Sequence, residues 1–332
     1  MIIDMFTHML PVKYRDAMRK YLPPDDYRVA SKEYAPSLTD LELRLRFMDN
    51  YGSDYVQVLG CLPFAEEIAD NPKESPELAR IGNDAIAEII AKYPDRFVAG
   101  TANLPMNNME DALKEMDRAI KDLGLKGIQI CSNINGRALD SPEFMPIYEK
   151  AANYDVPIWI HPSRSKTFAD YPTENESKYN IYAAIGWPYD MMVVMIRLVC
   201  CGVLDKYPSI KIYMHLTAGG IAYYADRVAS LLGLYKKTVP NSNLERFSKA
   251  PIEYLRMFYS DTEMSYTTAA LECSYAFFGA EHMVYSSGMP YGTEFGHSSI
   301  GESISAVKRM HISDSDKQKI FEGNAKRLLH LS

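Results

Sequence analysis

Residues 125–161 read LKGIQICSNINGRALDSPEFMPIYEKAANYDVPIWIH. Two apolar, β-type runs, Leu125–Cys131 and Val156–His161, flank a segment with helical spacing, Pro142–Tyr154. Ser141 ahead of Pro142 and Glu143 is a helix-start signal: serine at the N-cap, proline at the first helical position, acid in the first turn. Tyr154-Asp155 then breaks the helix just before the second run. The unit is strand–helix–strand, which belongs in a parallel sheet.

The unit recurs outward in both directions. Further strands are expected at Met1–Met5, Asp54–Gly60, Arg96–Asn103, Ile210–His215, Leu255–Ser260 and His282–Ser286. Amphipathic segments lie near Leu38–Tyr51, Pro76–Tyr93, Met109–Leu123, Pro188–Tyr207, Gly219–Tyr235, Tyr266–Phe278 and Ser298–Met310, with a second Ser-Pro-Glu start at Ser75–Glu77. Eight strands, each followed by a helix, is the count of a (β/α)8 barrel. The alternative, an open doubly wound sheet, usually carries a Gly-rich phosphate turn after its first strand. Here Phe6-Thr7-His8 follows the first strand, without glycine. The expected fold is α/β: a single (β/α)8 TIM barrel over residues 1–332, with insertions after strands 1 and 5 at Pro11–Pro36 and Ser163–Gly186.

Composition narrows the function classes. The chain has 332 residues, 47% hydrophobic and 24% charged, the balance of a soluble globular protein and not of a disordered or collagenous one. A net charge of −7 without a basic block gives no footprint for nucleic acid. Five cysteines without C-x-x-C spacing read as reduced thiols of a cytoplasmic protein. The N-terminus lacks the basic n-region of a signal peptide, and the most apolar stretch, Met191–Leu204, is short for a bilayer and broken by Arg197. No membrane partner is expected. The 24 tyrosines and 18 methionines suit a ligand pocket or an interface between copies.

Barrel enzymes build their sites at the C-terminal ends of the strands. Those ends carry Asp4, Phe6 and His8, then Cys61, Asn103, Ser132 and Asn133, His161, His215 and Leu216, Asp261 and Glu263, and Ser287 and Gly288. Three of the seven histidines fall in this set; His282, His297, His311 and His330 do not. A buried structural histidine is the plain alternative for any one of them, but three at one rim favour a pocket.

Several segments carry a family resemblance: IIDMFTHMLP at the start, GIQICSNINGRALDSPEFMPIYEKAANYDVPIWIHPS at 127–163, GWPYDMMVVMIRLVCCGVLDKYPSIKIYMH at 186–215, FYSDTE at 258–263 and GNAKRLLHL at 323–331. Together they resemble the amidohydrolase-2 family, in the branch of aminocarboxymuconate-semialdehyde decarboxylase and γ-resorcylate decarboxylase. The resemblance implies a barrel enzyme with a metal, usually Zn²⁺ or Mn²⁺. That metal would be held by two residues of the first strand, a histidine ending the fifth and an aspartate after the eighth, with a further histidine after the sixth. His8 and His161 match this pattern. Phe6 stands at the first ligand position and Gly288 where the aspartate belongs. The sixth-strand histidine falls on Leu216, and His215 lies one residue early. On a strand that offset points a side chain to the opposite face unless a bulge restores it.

Two imidazoles without a carboxylate are a poor zinc site. The expectation is therefore that no metal is bound, with weak or atypical binding by His8 and His161, or by these two and a reoriented His215, as the alternative. His8, His161, His215 and Asp261 are the candidate catalytic residues, with Asp261 orienting a histidine. Tyr259, Asp261 and Glu263 are not all expected to face the pocket, and of the three Asp261 is the one expected there. Phe6, Arg164, Leu216, Gly288 and Tyr291 are the candidate substrate-binding residues, Arg164 as a clamp for a carboxylate. The function expected is a lyase, a non-oxidative decarboxylase or hydratase-like enzyme for a small aromatic or unsaturated carboxylic acid. A metal-dependent hydrolase or decarboxylase with an atypical ligand set, and a non-catalytic binding relative, are the alternatives. A homodimer or higher homo-oligomer is expected.

Overall fold

The computed structural model describes residues 1–23, 26, 35–240, 244, 247–263, 267–292 and 296–331. One parallel sheet holds eight strands in chain order: β1 Ile2–Met9, β2 Tyr55–Cys61, β3 Phe97–Asn103, β4 Ile128–Cys131, β5 Ile158–His161, β6 Ile212–Met214, β7 Tyr259–Asp261 and β8 Met283–Val284. The Met5 amide donates to the Tyr285 carbonyl at 2.9 Å, and the His8 amide to the Met289 carbonyl at 2.7 Å. These bonds bring the end of the sheet back to its beginning, so the sheet curls into a (β/α)8 barrel. The covering helices are α1 Leu41–Asp49, α2 Ser75–Lys92, α3 Met109–Lys121, α4 Met145–Tyr154, α5 Trp187–Cys200, α6 Ile221–Thr238, α7 Thr268–Phe278 and α8 His297–Lys308.

Side-chain alternation sorts the strands into two cores. Ile3, Met5, Val56, Val58, Ala99, Trp159, Tyr213, Tyr259 and Val284 fill the barrel interior. Their neighbours, such as Ile128, Ile158, Ile160, Ile212 and Met214, face the helices. The closing helix Asn324–Leu329 stops the lower end, placing Ala325, Leu328 and Leu329 in the inner cluster. Asn324 fixes it there by donating to the Ala280 and Met283 carbonyls, both at 2.7 Å.

Several boundaries differ from the sequence reading. β1 runs four residues further, to Met9, because its second half is polar only at Thr7 and His8 and pairs with β2 to the end. The seventh strand starts late. Pro251–Leu255 forms a short helix instead, with the Glu253 carboxylate accepting from the Ala250 amide at 2.8 Å. Neither expected serine caps a helix through its side chain: Ser75 is itself helical and donates to Asn107 at 2.5 Å, and Ser141 precedes a single 3-10 turn.

Of the expected insertion Pro11–Pro36, residues 24–25 and 27–34 lie outside the described residues, as does Tyr266 at the expected start of the seventh helix. After β5, residues 162–180 hold no regular element and lead into a π-turn, Tyr182–Gly186, continuous with α5. The 19-residue span Tyr182–Cys200 is long and apolar enough by length and composition to cross a membrane. In the fold, its Met191, Met195, Leu198 and Val199 are buried.

β6 leaves the barrel through five consecutive left-handed residues, Leu216 (φ 58°), Thr217 (51°), Ala218 (51°), Gly219 (64°) and Gly220 (78°). Such backbone costs a non-glycine residue about 1–2 kcal/mol. The two glycines differ in the space they have. A Cβ on Gly219 would lie 2.3 Å from the Pro188 carbonyl oxygen, whereas one on Gly220 meets nothing within 4 Å. Gly220→Ala should therefore cost about 1 kcal/mol in urea unfolding, and Gly219→Ala at least ~2 kcal/mol more. Equal costs would show that the turn does not press on α5.

Candidate active site

Each of the three rim histidines reaches the barrel mouth by its own local device. In β5, Trp159 faces the interior while Ile158 and Ile160 face the helices, so alternation turns His161 inward. Pro162 then ends the ladder. In β1 the register slips: Asp4 pairs with Gln57 and Thr7 with Leu59, so β1 carries one extra residue. This bulge shifts the inward set from Ile3 and Met5 to Phe6 and His8.

For His215 the offset argument fails. Tyr213 faces the interior, so the residue two further on does too, while Leu216 packs in the outer core. The left-handed turn starts only after His215. The histidine one residue early is the one that reaches the pocket.

The three rings converge. One nitrogen from each of His8, His161 and His215 lies within 4.8 Å of those of the others. Ring centroids are 5.3 Å apart for His8–His161, 5.7 Å for His161–His215 and 5.8 Å for His8–His215. Nδ1 of His8 is buried and makes no hydrogen bond.

Asp261 fixes His215. Its Oδ2 accepts from His215 Nδ1 at 2.7 Å and from the Tyr213 hydroxyl at 3.0 Å, and its Oδ1 accepts from the Thr217 amide at 2.6 Å. His215 Nε2 is thereby left facing the cluster, a carboxylate–histidine arrangement that sets the tautomer of a ligand.

Glu263 is the residue the sequence reading set aside. Its Oε2 lies 3.6 Å from His215 Nε2, is buried and has no hydrogen-bond partner among the described residues. The period of two along a strand puts Tyr259, Asp261 and Glu263 on one face, so alternation gave no ground for leaving Glu263 out; β7 ends at Asp261, and residues 262–263 lie just beyond it. The carboxylate pair in FYSDTE was the available signal.

Burial pulls the His161 pKa down to about 3, helped by the nearby His215, and holds His8 well below the usual histidine range beside His161, His215 and Arg44. Both are neutral at pH 7. They are lone-pair donors. At His215 burial also pulls downward, but Glu263, Asp261 and the Asp261 hydrogen bond outweigh it and raise the pKa. Glu263 is pushed up to about 7 by burial, against the opposing effect of His215.

The other candidates divide. Phe6 stacks on His215 at 3.9 Å between centroids and is 3% exposed, so it walls the cluster. Tyr291 lies 5.2 Å from the His8 ring. Gly288, at φ 68°, has its open side against Glu263. Leu216 is turned away into the outer core and does not line the cluster. Arg164 pairs with Asp190 at 3.2 Å and lies over the Phe168 ring, on a cavity of about 200 Å³. That cavity, lined also by Ser132, Asn133, Asp140 and Arg197, sits beside the histidines and does not include them. His282 stacks on Tyr259 and bonds the Phe258 carbonyl, while His311 and His330 are exposed.

Three converging imidazoles, two of them kept neutral by burial, with an orphaned buried nitrogen fit a divalent cation. The expectation of a metal-free site finds no support in this geometry, because the ligand count behind it left out His215. A family model described as "Amidohydrolase" matches residues 3–331. The chain belongs to the amidohydrolase family. It is 28% identical over 323 residues to γ-resorcylate decarboxylase of Polaromonas sp. (strain JS666), covering 94% of this chain and 93% of the relative. It is 25% identical over 344 residues to 2-amino-3-carboxymuconate-6-semialdehyde decarboxylase of Dictyostelium discoideum, covering 99% and 91%. The crystal structure of the dihydroxybenzoic acid decarboxylase from Polaromonas sp. JS666, with bound manganese and 2-nitroresorcinol, superposes with a TM-score of 0.78 at 25% identity, over 99% of this chain and 96% of that one. These relatives agree with the decarboxylase-type lyase expected from the sequence, and the manganese of the last gives no support to metal independence.

His161 and His282 are both histidines held at strand ends, but only His161 faces the cluster. His161→Asn should lower turnover, or ligand affinity, by at least ~10²-fold with little change in melting temperature. His282→Asn should do the reverse, losing ~1–3 kcal/mol of stability with the carbonyl bond and leaving turnover in place. Full activity in a destabilised His161→Asn protein would make that histidine structural.

Proposed function

We propose that the protein is a non-oxidative decarboxylase of a small aromatic carboxylic acid, using a divalent cation held by His8, His161 and His215. The observation that carries this reading is the convergence of those three imidazoles at the barrel mouth, in a family member whose full-length relatives are decarboxylases. The relatives' substrates include dihydroxybenzoate and 6-methylsalicylic acid, which share a hydroxyl beside the carboxylate. A hydroxyl–carboxylate pair on a ring is accordingly the substrate class expected here.

Decarboxylation breaks the bond between ring carbon and carboxylate, and that carbon takes up a proton as CO2 leaves. The bound cation would supply Lewis-acid polarisation of substrate oxygens. The chain's own residues do the positioning. His8 and His161 present neutral lone pairs because burial keeps protons off them. Asp261 takes the Nδ1 proton of His215 in a hydrogen bond and so aims Nε2 at the centre. Phe6 presses on the His215 ring and keeps water from that face. Arg164 is engaged with Asp190 and lines the neighbouring cavity, which does not include the histidines.

The exposed Ile185, Tyr189, Tyr223, Leu231 and Leu234 suit association of two copies, which is the partner expected besides substrate.

The test is turnover of 2,6-dihydroxybenzoate and related hydroxybenzoates before and after chelation. The reading expects CO2 release from at least one of them, loss of at least ~10²-fold on removing the metal, and recovery with Mn²⁺ or Zn²⁺. Turnover that survives complete metal removal would contradict the metal-dependent reading. Absence of turnover on the whole class, with metal bound, would contradict the decarboxylase.

A further inference from the structure

The cation site described above is made of three imidazoles, which carry no charge when they coordinate, and so far it has no carboxylate. A divalent ion in a buried pocket needs a carboxylate beside it, both to complete four-coordination and to compensate charge. Two carboxylates at this end of the barrel are already committed. Asp261 accepts from His215, Tyr213 and Thr217. Asp4 accepts from the Tyr55 hydroxyl at 2.5 Å and from both the amide and the hydroxyl of Ser287.

Glu263 is different. Its Oε2 is buried without a hydrogen-bond partner among the described residues, and its nearest polar neighbour on the cluster is His215 Nε2 at 3.6 Å. That distance is long for a hydrogen bond. It is close to the separation of two donors on one ion, since bonds of ~2.0–2.1 Å at a tetrahedral angle put neighbouring ligands about 3.4 Å apart.

The backbone opposite explains how the carboxylate gets there. Gly288 sits at φ 68°, and a Cβ on it would lie 2.7 Å from both Cγ and Oε1 of Glu263. The glutamate side chain fills the space that any larger residue at 288 would claim. Thr217 holds its base, donating from Oγ1 to the Glu263 carbonyl at 2.6 Å.

We infer that Glu263, entering from the end of β7 through the space left by Gly288, is the carboxylate ligand of the His8–His161–His215 cation site. The sequence put the charge-bearing position at 288 and found it empty. The carboxylate has moved across the pocket to 263, and the glycine is what admits it. This inference rests on the metal-dependent reading above.

The test is binding of Mn²⁺ to the metal-free full chain, read from the electron paramagnetic resonance of free Mn²⁺, with circular dichroism to confirm folding. Wild type should bind one ion, and the isosteric Glu263→Gln should bind it at least ~10²-fold more weakly, beyond the loss typical of an outer-shell partner. Gly288→Ala should also weaken binding in the wild-type background, because its methyl displaces the glutamate. In a Glu263→Ala background the same Gly288→Ala change should have no further effect. Wild-type affinity in Glu263→Gln overturns the inference and leaves the three-imidazole site standing. So does a Gly288→Ala loss of equal size in both backgrounds. No Mn²⁺ bound by wild type removes the cation site itself, and the inference with it.

Discussion

The Asp261 carboxylate, buried at the end of β7, receives three hydrogen bonds from one short stretch of β6 and its exit: the Tyr213 hydroxyl, His215 Nδ1 and the Thr217 amide. Tyr213 lies in the barrel, His215 at its mouth, and Thr217 in a left-handed turn that the chain would otherwise avoid. The carboxylate thus ties two neighbouring strands together and selects the tautomer of His215. It also holds in place the turn from which α6 departs. An unpaired carboxylate at full burial would be costly, so each of these donors is needed by the acid as much as the acid is needed by them.

A second constraint acts on the other side of the pocket. β1 carries one residue more than β2 between its pairs Asp4–Gln57 and Thr7–Leu59. Without that bulge, His8 would face the helices. With it, Phe6 and His8 both enter the barrel, Phe6 lies flat on His215 and His8 meets His161 edge-on. Burial then strips protons from His8 and His161, which makes them ligands in character. The apolar Phe6 does not add a donor. It buttresses the ring that Asp261 aims.

The barrel was legible because strand and helix periods alternate cleanly around 125–161, and the same joints repeat along the chain. Three histidines could be placed at one rim from strand ends alone. What could not be read were the departures from strict alternation. The β1 bulge shifts which side chains face inward by one residue, and hydrophobic pattern is blind to such a shift. Counting from Ile210-Lys211 put the pocket position at Leu216, whereas alternation from Tyr213 puts it at His215. Glu263 was lost differently: it stands two residues after Asp261, the spacing that keeps side chains on one face, and the sequence was read for Asp261 alone. The expectation of no metal followed from Phe6 and Gly288 at two ligand positions and from a His215 counted as displaced, because it counted ligands by register and not by convergence.

The most direct measurement is an anomalous-diffraction map of crystals of the full chain grown with Mn²⁺ or Zn²⁺. The account predicts a single peak at the barrel mouth, within about 2.0–2.2 Å of one nitrogen from each of His8, His161 and His215. A peak bound elsewhere, or a mouth that stays empty at saturating metal while the three rings keep their places, would contradict it.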